Sequence, residues 1–190
     1  MKALRGVAVL GAVLALGVLV TGCGDGGKGS SNRVSISGNA NFPNSVGGGA
    51  VANTPFIIID PDRPNDALIS DVSTGDGRFF GIIRKTISVA VILSGVAQGS
   101  NVRVSGLIPA EHNNEDKSLN GQTDIACEAG VQAVIDGDIN GNDLDADRIA
   151  NLESAAARFV ATTDFKDPAS VTAAANQVRV LTDNGDHPAP

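Results

Sequence analysis

The chain changes character near residue 110, and this change limits the folds that its 190 residues can adopt. Between residues 33 and 108, short runs of β-branched and aliphatic residues alternate with turn signals, a pattern typical of β-strands. Between residues 123 and 182 the chain is rich in alanine, and apolar residues recur with the 3.6-residue period of a helix. We therefore predict an α+β fold in which an N-terminal β-sandwich is followed by a small module of three helices.

The strand signal of the first part is interrupted by turns at two places. One is the stretch 60–66, which is rich in Asp, Pro and Asn, and the other is Gly75-Asp76-Gly77. The Asp76-Gly77 pair predicts a tight hairpin with a type I′ turn, in which both central residues have positive φ. The predicted strands are 34–37, 56–59, 87–93 and 102–108.

Five short segments of the first part follow one another in a distinctive order: VSISG at 34–38, GAVA at 49–52, IIID at 57–60, TGDGRF at 74–79 and VAV at 89–91. This succession resembles a carboxypeptidase regulatory-like domain, and its Thr-x-Asp-Gly-x-Phe hairpin is the most specific part. The resemblance implies a small transthyretin-like or immunoglobulin-like sandwich of about seven strands. Members of that family are mostly non-catalytic accessory or stalk modules, so the resemblance implies an architecture without an activity.

Three amphipathic helices are predicted in the second part. The first begins with Thr123 as its cap and ends at Asp136-Gly137, and the second extends over 145–162. The third begins with Asp167 as its cap and Pro168 in its first turn, where proline loses no hydrogen bond. Because their seams are mostly alanine, we expect the helices to pack on one another or on the sandwich.

The first 23 residues have the pattern of a bacterial export signal. Lys2 and Arg5 precede an uncharged apolar run over 6–20, which is shorter than the ~20 residues of a membrane-spanning helix. Val20-Thr21-Gly22-Cys23 then resembles a lipobox, the motif at which bacterial lipoproteins are lipidated on the cysteine and cleaved before it. We therefore predict that Cys23 carries a lipid anchor, with two or more acyl chains that hold it firmly in a membrane.

Residues 23–32 are rich in Gly and Ser and predict a flexible tether. Gly24 follows the cysteine, and by resemblance to enterobacterial lipoproteins this favours the outer membrane over the inner membrane. We predict a lipoprotein of the bacterial cell envelope, periplasmic or surface-exposed, whose partners are the membrane and an unknown envelope protein or polymer. The predicted divisions are the signal peptide 1–22, the tether 23–32, the sandwich 33–109, a linker loop 110–122, the helical module 123–184 and a tail 185–190.

Composition excludes several classes of function. Removing residues 1–22 takes Lys2 and Arg5 from the 14 basic residues, which leaves 12 basic and 21 acidic residues and a formal charge of −9. Nucleic-acid binding is disfavoured because it needs clustered Lys and Arg. Trp and Tyr are absent, which disfavours a glycan-binding platform. Lipidation of Cys23 leaves only Cys127, so no intramolecular disulfide can form.

An acidic stretch between the first two helices resembles the calcium loop of an EF-hand or a dockerin. Oxygen-bearing side chains stand at positions 1, 3, 5 and 12 of this loop, and Gly141 stands at position 6, where the chain turns sharply. The alternative is a solvated turn whose Asp residues cap the second helix. If calcium binds the loop 136–147, the alternative function is a calcium-dependent docking or stabilising module. Otherwise we predict a protein without a cofactor. The candidate calcium ligands are Asp136, Asp138, Asn140, Asn142 and Asp147.

No catalytic set stands out in the sequence, and we predict a non-catalytic protein with a binding or structural role. His112 lies in a polar loop and His187 in the tail, so an envelope hydrolase would need His112 brought to a distant Ser or Asp. Cys127 lies among apolar residues, which favours a buried, inert thiol. The stretch 24–29 spells a dinucleotide-binding fingerprint but lacks the flanking strand and helix that this motif needs.

Overall fold

The computed structural model describes residues 33–110 and 116–183, which form a mixed α+β structure. Within these residues seven strands come first and three helices follow, and this order of strands before helices is the predicted one. Single 3-10 turns lie at Asn44–Val46 and Gly141–Asp143. The elements are β1 (Val34–Ala40), β2 (Pro55–Ile59), β3 (Ala67–Val72), β4 (Arg78–Ile83), β5 (Val89–Ala97), β6 (Ser100–Ile108), β7 (Asp116–Leu119), α1 (Gly121–Ile135), α2 (Ala146–Ala156) and α3 (Pro168–Asp183).

The strands form two sheets that share one apolar core. The three-stranded sheet has the order β4-β1-β7, and the four-stranded sheet has the order β3-β2-β5-β6. Alternate residues of β1, such as Ile36, are buried, and Phe79 of β4 packs with Phe56 of β2 at a ring distance of 6.0 Å. Ile36 and Phe79 of the three-stranded sheet form a single apolar cluster with Phe56, Ile58 and Leu93 of the four-stranded sheet. The two sheets therefore face each other.

The helices cover the other face of the four-stranded sheet. A second apolar cluster joins Ala90 and Leu107 of β5 and β6 to Ile125 of α1, Leu152 of α2 and Val178 of α3. The sheet is thus buried on both faces at β5, which explains the apolar run over 89–93. The expected packing of the helices on one another and on the sheet is confirmed. Among the helices described, none is long and apolar enough to cross a membrane.

The predicted type I′ hairpin is wrong. Gly77 has a φ of 79°, whereas Asp76 is not among the residues with positive φ. The Gly77 amide donates to the Thr74 carbonyl at 2.9 Å, and the Thr74 hydroxyl bonds to the Asp76 carboxylate. This hydrogen bond closes a turn whose central residues are Gly75 and Asp76, and both have negative φ. Only Gly77, which follows the turn, needs a positive φ. The turn also joins β3 and β4, which belong to different sheets.

Two helix boundaries differ from the prediction because of local hydrogen bonds. Asn120, and not Thr123, caps α1: its side chain accepts from the Thr123 amide, and the Thr123 hydroxyl accepts from the Asn120 amide. The second helix ends at Ala156, six residues early. After Ala156 the backbone hydrogen bonds tighten to the i→i−3 kind, because the Arg158 amide donates to the Ala155 carbonyl at 3.3 Å and the Phe159 amide to the Ala156 carbonyl at 2.9 Å. The third helix begins at Pro168 as predicted.

Candidate functional site

The two sides of the paired sheets differ in how their edges are covered. On one side, β7 leads directly into α1, the Leu119 side chain lies over Gly106, and the Thr123 hydroxyl donates to the Ser105 carbonyl at 2.7 Å. On the other side, β3 and β4 each end their sheet among the strands of residues 33–110 and 116–183, and the turn at 73–77 joins them. We call the pair β3 and β4 the open edge.

The open edge exposes large apolar side chains. Leu68 and Val72 of β3 are 41% and 55% exposed, and Phe80 and Ile82 of β4 are 56% and 51% exposed. From Phe79 to Ile83, β4 carries neither a charge nor a proline. Natural proteins usually protect an edge strand with such residues because its free backbone groups otherwise pair with another chain. An unprotected edge with exposed apolar side chains is typical of an interaction surface.

A cleft of about 430 Å³ lies along the open edge. The Asp116 carboxylate crosses its polar end, where it accepts from the Ser37 hydroxyl at 2.6 Å and from the Arg78 guanidinium at 3.1 Å. The hydrogen bond from Ser37 and the nearby Arg78 lower the pKa of Asp116, so this carboxylate stays ionised. The cleft is lined by Ser37, Asp71, Val72, Thr74, Arg78, Phe79, Phe80 and Asp116.

The charges of the open edge are divided between its two strands. Asp66 precedes β3 and Asp71 lies within it, and both are exposed. Arg78 begins β4, and Arg84 and Lys85 follow its end. One strand therefore presents negative charge at both ends, and the other presents positive charge at both ends, although Arg78 already pairs with a carboxylate.

A second polar site lies between β6 and α1. Arg103 contacts Asp124 through Nε and Oδ1 at 3.1 Å and Glu128 through Nη2 and Oε2 at 2.8 Å. The Ser105 hydroxyl donates to the same Asp124 oxygen at 2.6 Å. The other oxygen, Oδ2, is buried and has no hydrogen-bond partner. Burial raises the pKa of Asp124 against the opposing effect of Arg103.

Cys127 is buried next to this polar site, as the sequence predicts. Burial raises the pKa of its thiol to about 12, and hydrogen bonding to Ser105 and the charge of Arg103 oppose the shift only in part. A thiol that stays protonated is a poor nucleophile and a poor metal ligand. The position of Cys127 is therefore that of a small apolar side chain in the core.

Arg179 of α3 lies against the first two residues of the predicted calcium loop. Its Nη1 is 2.8 Å from Asp136 Oδ2 and its Nη2 is 2.6 Å from Asp138 Oδ2. The guanidinium supplies to these two carboxylates the positive charge that calcium would supply. Asn140 donates to the Asp143 carboxylate through both its backbone and its side-chain nitrogen.

The remaining candidate ligands lie apart from that ion pair. Asn142 is exposed in the 3-10 turn, and Asp147 is exposed in the first turn of α2. Asp145 caps α2 by accepting from the Arg148 amide at 2.8 Å, as the alternative interpretation expects. Within residues 33–110 and 116–183, no three His, Cys, Asp or Glu side chains are grouped to hold a metal. Calcium binding stays a prediction from the sequence.

Three sequence-predicted residues lie outside the described part of the chain: Cys23, His112 and His187. The sequence analysis missed both the open edge and the cluster of Arg103, Asp124 and Glu128. A signal for the cluster is nevertheless present, because Asp124 and Glu128 are four residues apart on one helix face and Arg103 interrupts an apolar strand. The open edge has no local signal, since it depends on which strands end their sheets.

Comparison with known proteins gives no relative for this chain. No protein-family model matches it, and no curated protein matches it. No solved structure matches its fold.

Proposed function

We propose that this protein is a lipid-anchored, non-catalytic binding or structural protein of the bacterial cell envelope. The open edge carries the proposal, because the unprotected strand β4, with β3 and the cleft beside it, offers both backbone hydrogen-bonding groups and apolar side chains to another chain. Cys23 would hold the protein in the membrane, and the tether at 23–32 would give it reach. No cofactor is needed for this role.

We propose further that the paired sheets are a transthyretin-like or immunoglobulin-like sandwich of the carboxypeptidase regulatory-like kind. Seven strands in two facing sheets support this assignment. Six of the strands lie within the residues that carry the resemblance, and β7 lies beyond them. A module of that kind presents a surface and performs no reaction, which agrees with a binding or structural role.

The lipid anchor is tested by changing Cys23 to alanine. In cells fed labelled palmitate, we expect the full-length wild-type chain to incorporate label and to sediment with the membranes. The Cys23→Ala protein should incorporate none and should leave the membrane fraction. A Cys127→Ala protein is the matched control, because it should keep both label and membrane association. Equal membrane association of the Cys23 variant and the wild type would contradict the anchor.

Hydrogen exchange tests whether the open edge binds another chain. In native membranes, we expect the amides of β4 to exchange at least about tenfold more slowly than in the same full-length chain diluted in detergent, because a bound strand would protect them. The peptide covering β5 is the internal control, since β5 is paired on both sides and should be protected in both samples. Equally fast exchange of β4 in both samples would show that the edge is free.

A further inference from the structure

We propose that the partner of the open edge is a second copy of this chain, with β3 of each copy beside β4 of the other. This proposal rests on the proposed function and names the partner of the same surface. The resulting dimer would have two-fold symmetry, and two continuous seven-stranded sheets would replace four separate ones. Three observations support this pairing: the strand directions, the exposed apolar side chains and the charges.

The strand directions allow the pairing. Because the short turn at 73–77 joins β3 to β4, the two strands are antiparallel. Across the core, an added Cβ at Gly81 would lie 2.5 Å from Ile69 Cδ1, and Phe79 packs on Phe56, which pairs with Asp71. These contacts place Val72 at about the height of Arg78.

A two-fold axis parallel to the strands keeps every residue at its height and exchanges the two sheets. It therefore places β3 of one copy antiparallel to β4 of the other, with Val72 opposite Arg78. The Arg78 backbone already bonds to Thr74 and the Val72 amide to Asp71. The ladder between the copies therefore runs through Ser70 opposite Phe80 and Leu68 opposite Ile82.

This register also aligns the exposed apolar side chains. Counting from Val72 opposite Arg78 places Leu68 opposite Ile82, with Phe80 of the second copy between Leu68 and Val72. These four side chains point away from the shared core of their own copy, and the two-fold axis brings them to the same face of the joined sheet. Directly opposed and diagonal apolar pairs of this kind stabilise a sheet.

Charge distinguishes this pairing from the pairing of like strands. In the proposed register Asp66 lies opposite Arg84 of the second copy, and Asp71 lies beside the position opposite Arg78. Pairing β3 with β3 would bring Asp66 and Asp71 close to the same residues of the other copy. Pairing β4 with β4 would likewise bring the positive charges of Arg78, Arg84 and Lys85 close to those of the other copy. Opposed like charges destabilise a sheet, so the exchanged arrangement is favoured.

Cysteine cross-linking in the full-length chain tests the register. Two differently tagged copies are produced together, one with Leu68→Cys and the other with Ile82→Cys, and the membranes are oxidised mildly. Directly opposed residues of an antiparallel pair have Cα atoms about 4.5–5.5 Å apart, which is within disulfide range. We expect a dimer that carries both tags. Each copy carries only one of the two introduced cysteines, so the disulfide between them can form only between copies.

The controls separate the alternatives. Val96 is also exposed but lies on β5, so a copy with Val96→Cys should not cross-link to either partner. Each edge variant produced alone should remain monomeric on a denaturing gel. Dimers of Leu68→Cys with itself, or of Ile82→Cys with itself, would overturn the proposal in favour of like-strand pairing. Absence of the mixed dimer would overturn it as well.

A charge exchange provides a second, independent test. Asp66→Arg or Arg84→Asp alone should weaken association of detergent-solubilised chains about tenfold, because each places like charges opposite one another at both junctions. The double variant should recover the wild-type association, and failure to recover it would contradict the register. If β4 is protected from exchange in membranes but the mixed dimer does not form, the binding role stands and the partner is another envelope protein.

Discussion

Changing Gly38 to alanine should lower the free energy of unfolding by about 3 kcal/mol. Gly38 lies in β1 at the point where β7 pairs with it, opposite Lys117. A Cβ atom at Gly38 would lie 2.0 Å from the Lys117 carbonyl oxygen and 2.6 Å from Cζ of Phe79. The phenyl ring can shift, but the carbonyl oxygen belongs to the backbone of β7. The strand must therefore move away, and the ladder that holds the closed side of the sheets is disrupted.

Gly75 provides the matched control for this prediction. Its φ is not positive, and the nearest atom to an added Cβ is 3.9 Å away, so Gly75→Ala should unfold at a urea concentration close to that of the wild type. Circular dichroism during urea denaturation measures both variants. The prediction fails if the two variants have the same midpoint, because the approach of β7 would then be more adaptable than its backbone contact indicates.

The sequence predicted the apolar strands and the capped helix start, because both depend only on neighbouring residues. Strands 56–59 and 87–93 are mostly apolar runs, and the helix start at Pro168 follows from the Asp167 cap and the proline after it. β7 gave no signal, because Asp116–Leu119 contains a single apolar residue and is a strand only through its pairing with β1. The sequence predicted the position of the turn at 74–77, but no local pattern indicates that β3 and β4 on either side of it belong to different sheets.

The candidate site was harder to predict for the same reason. Phe80 and Ile82 alternate with buried residues as in any strand with one face in the core. They matter because β4 ends its sheet, and this follows from the arrangement of all seven strands. Arg103 stands between two valines and has the pattern of a solvent-facing residue. It is instead turned toward α1, because the helices cover the outer face of this sheet.

Changing Arg103 to alanine should lower the free energy of unfolding by about 3–5 kcal/mol near neutral pH. Asp124 is 1% exposed, and Arg103 is the cation that contacts it. The Asp124 Oδ2 already lacks a hydrogen-bond donor, so without Arg103 only Ser105 would stabilise the charged carboxylate. Arg78→Ala is the matched control. It breaks the exposed ion pair with Asp116, and its unfolding should stay close to that of the wild type.

The loss in the Arg103 variant should depend on pH in a direction that identifies Asp124 as its cause. Burial raises the pKa of Asp124 above its ordinary value of about 3.9, so the native state binds a proton more readily than the unfolded state. Stability is then lost as pH rises from about 4 through the native pKa, and removal of Arg103 raises that pKa further. We therefore expect urea denaturation to show a smaller loss near pH 4 than near pH 8.

A double variant separates this charge effect from a loss of packing. In Arg103→Met with Asp124→Leu, the fully buried charge at the contact between β6 and α1 is removed, and apolar side chains of similar length fill the space. The Glu128 carboxylate remains, but it is 21% exposed and reaches water. Such replacements are commonly neutral or stabilising, so most of the lost stability should return, and the pH dependence assigned to Asp124 should disappear. If the double variant is as unstable as Arg103→Ala at both pH values, the loss arises from packing. The ion pair would then contribute little to joining the helices to the sheet.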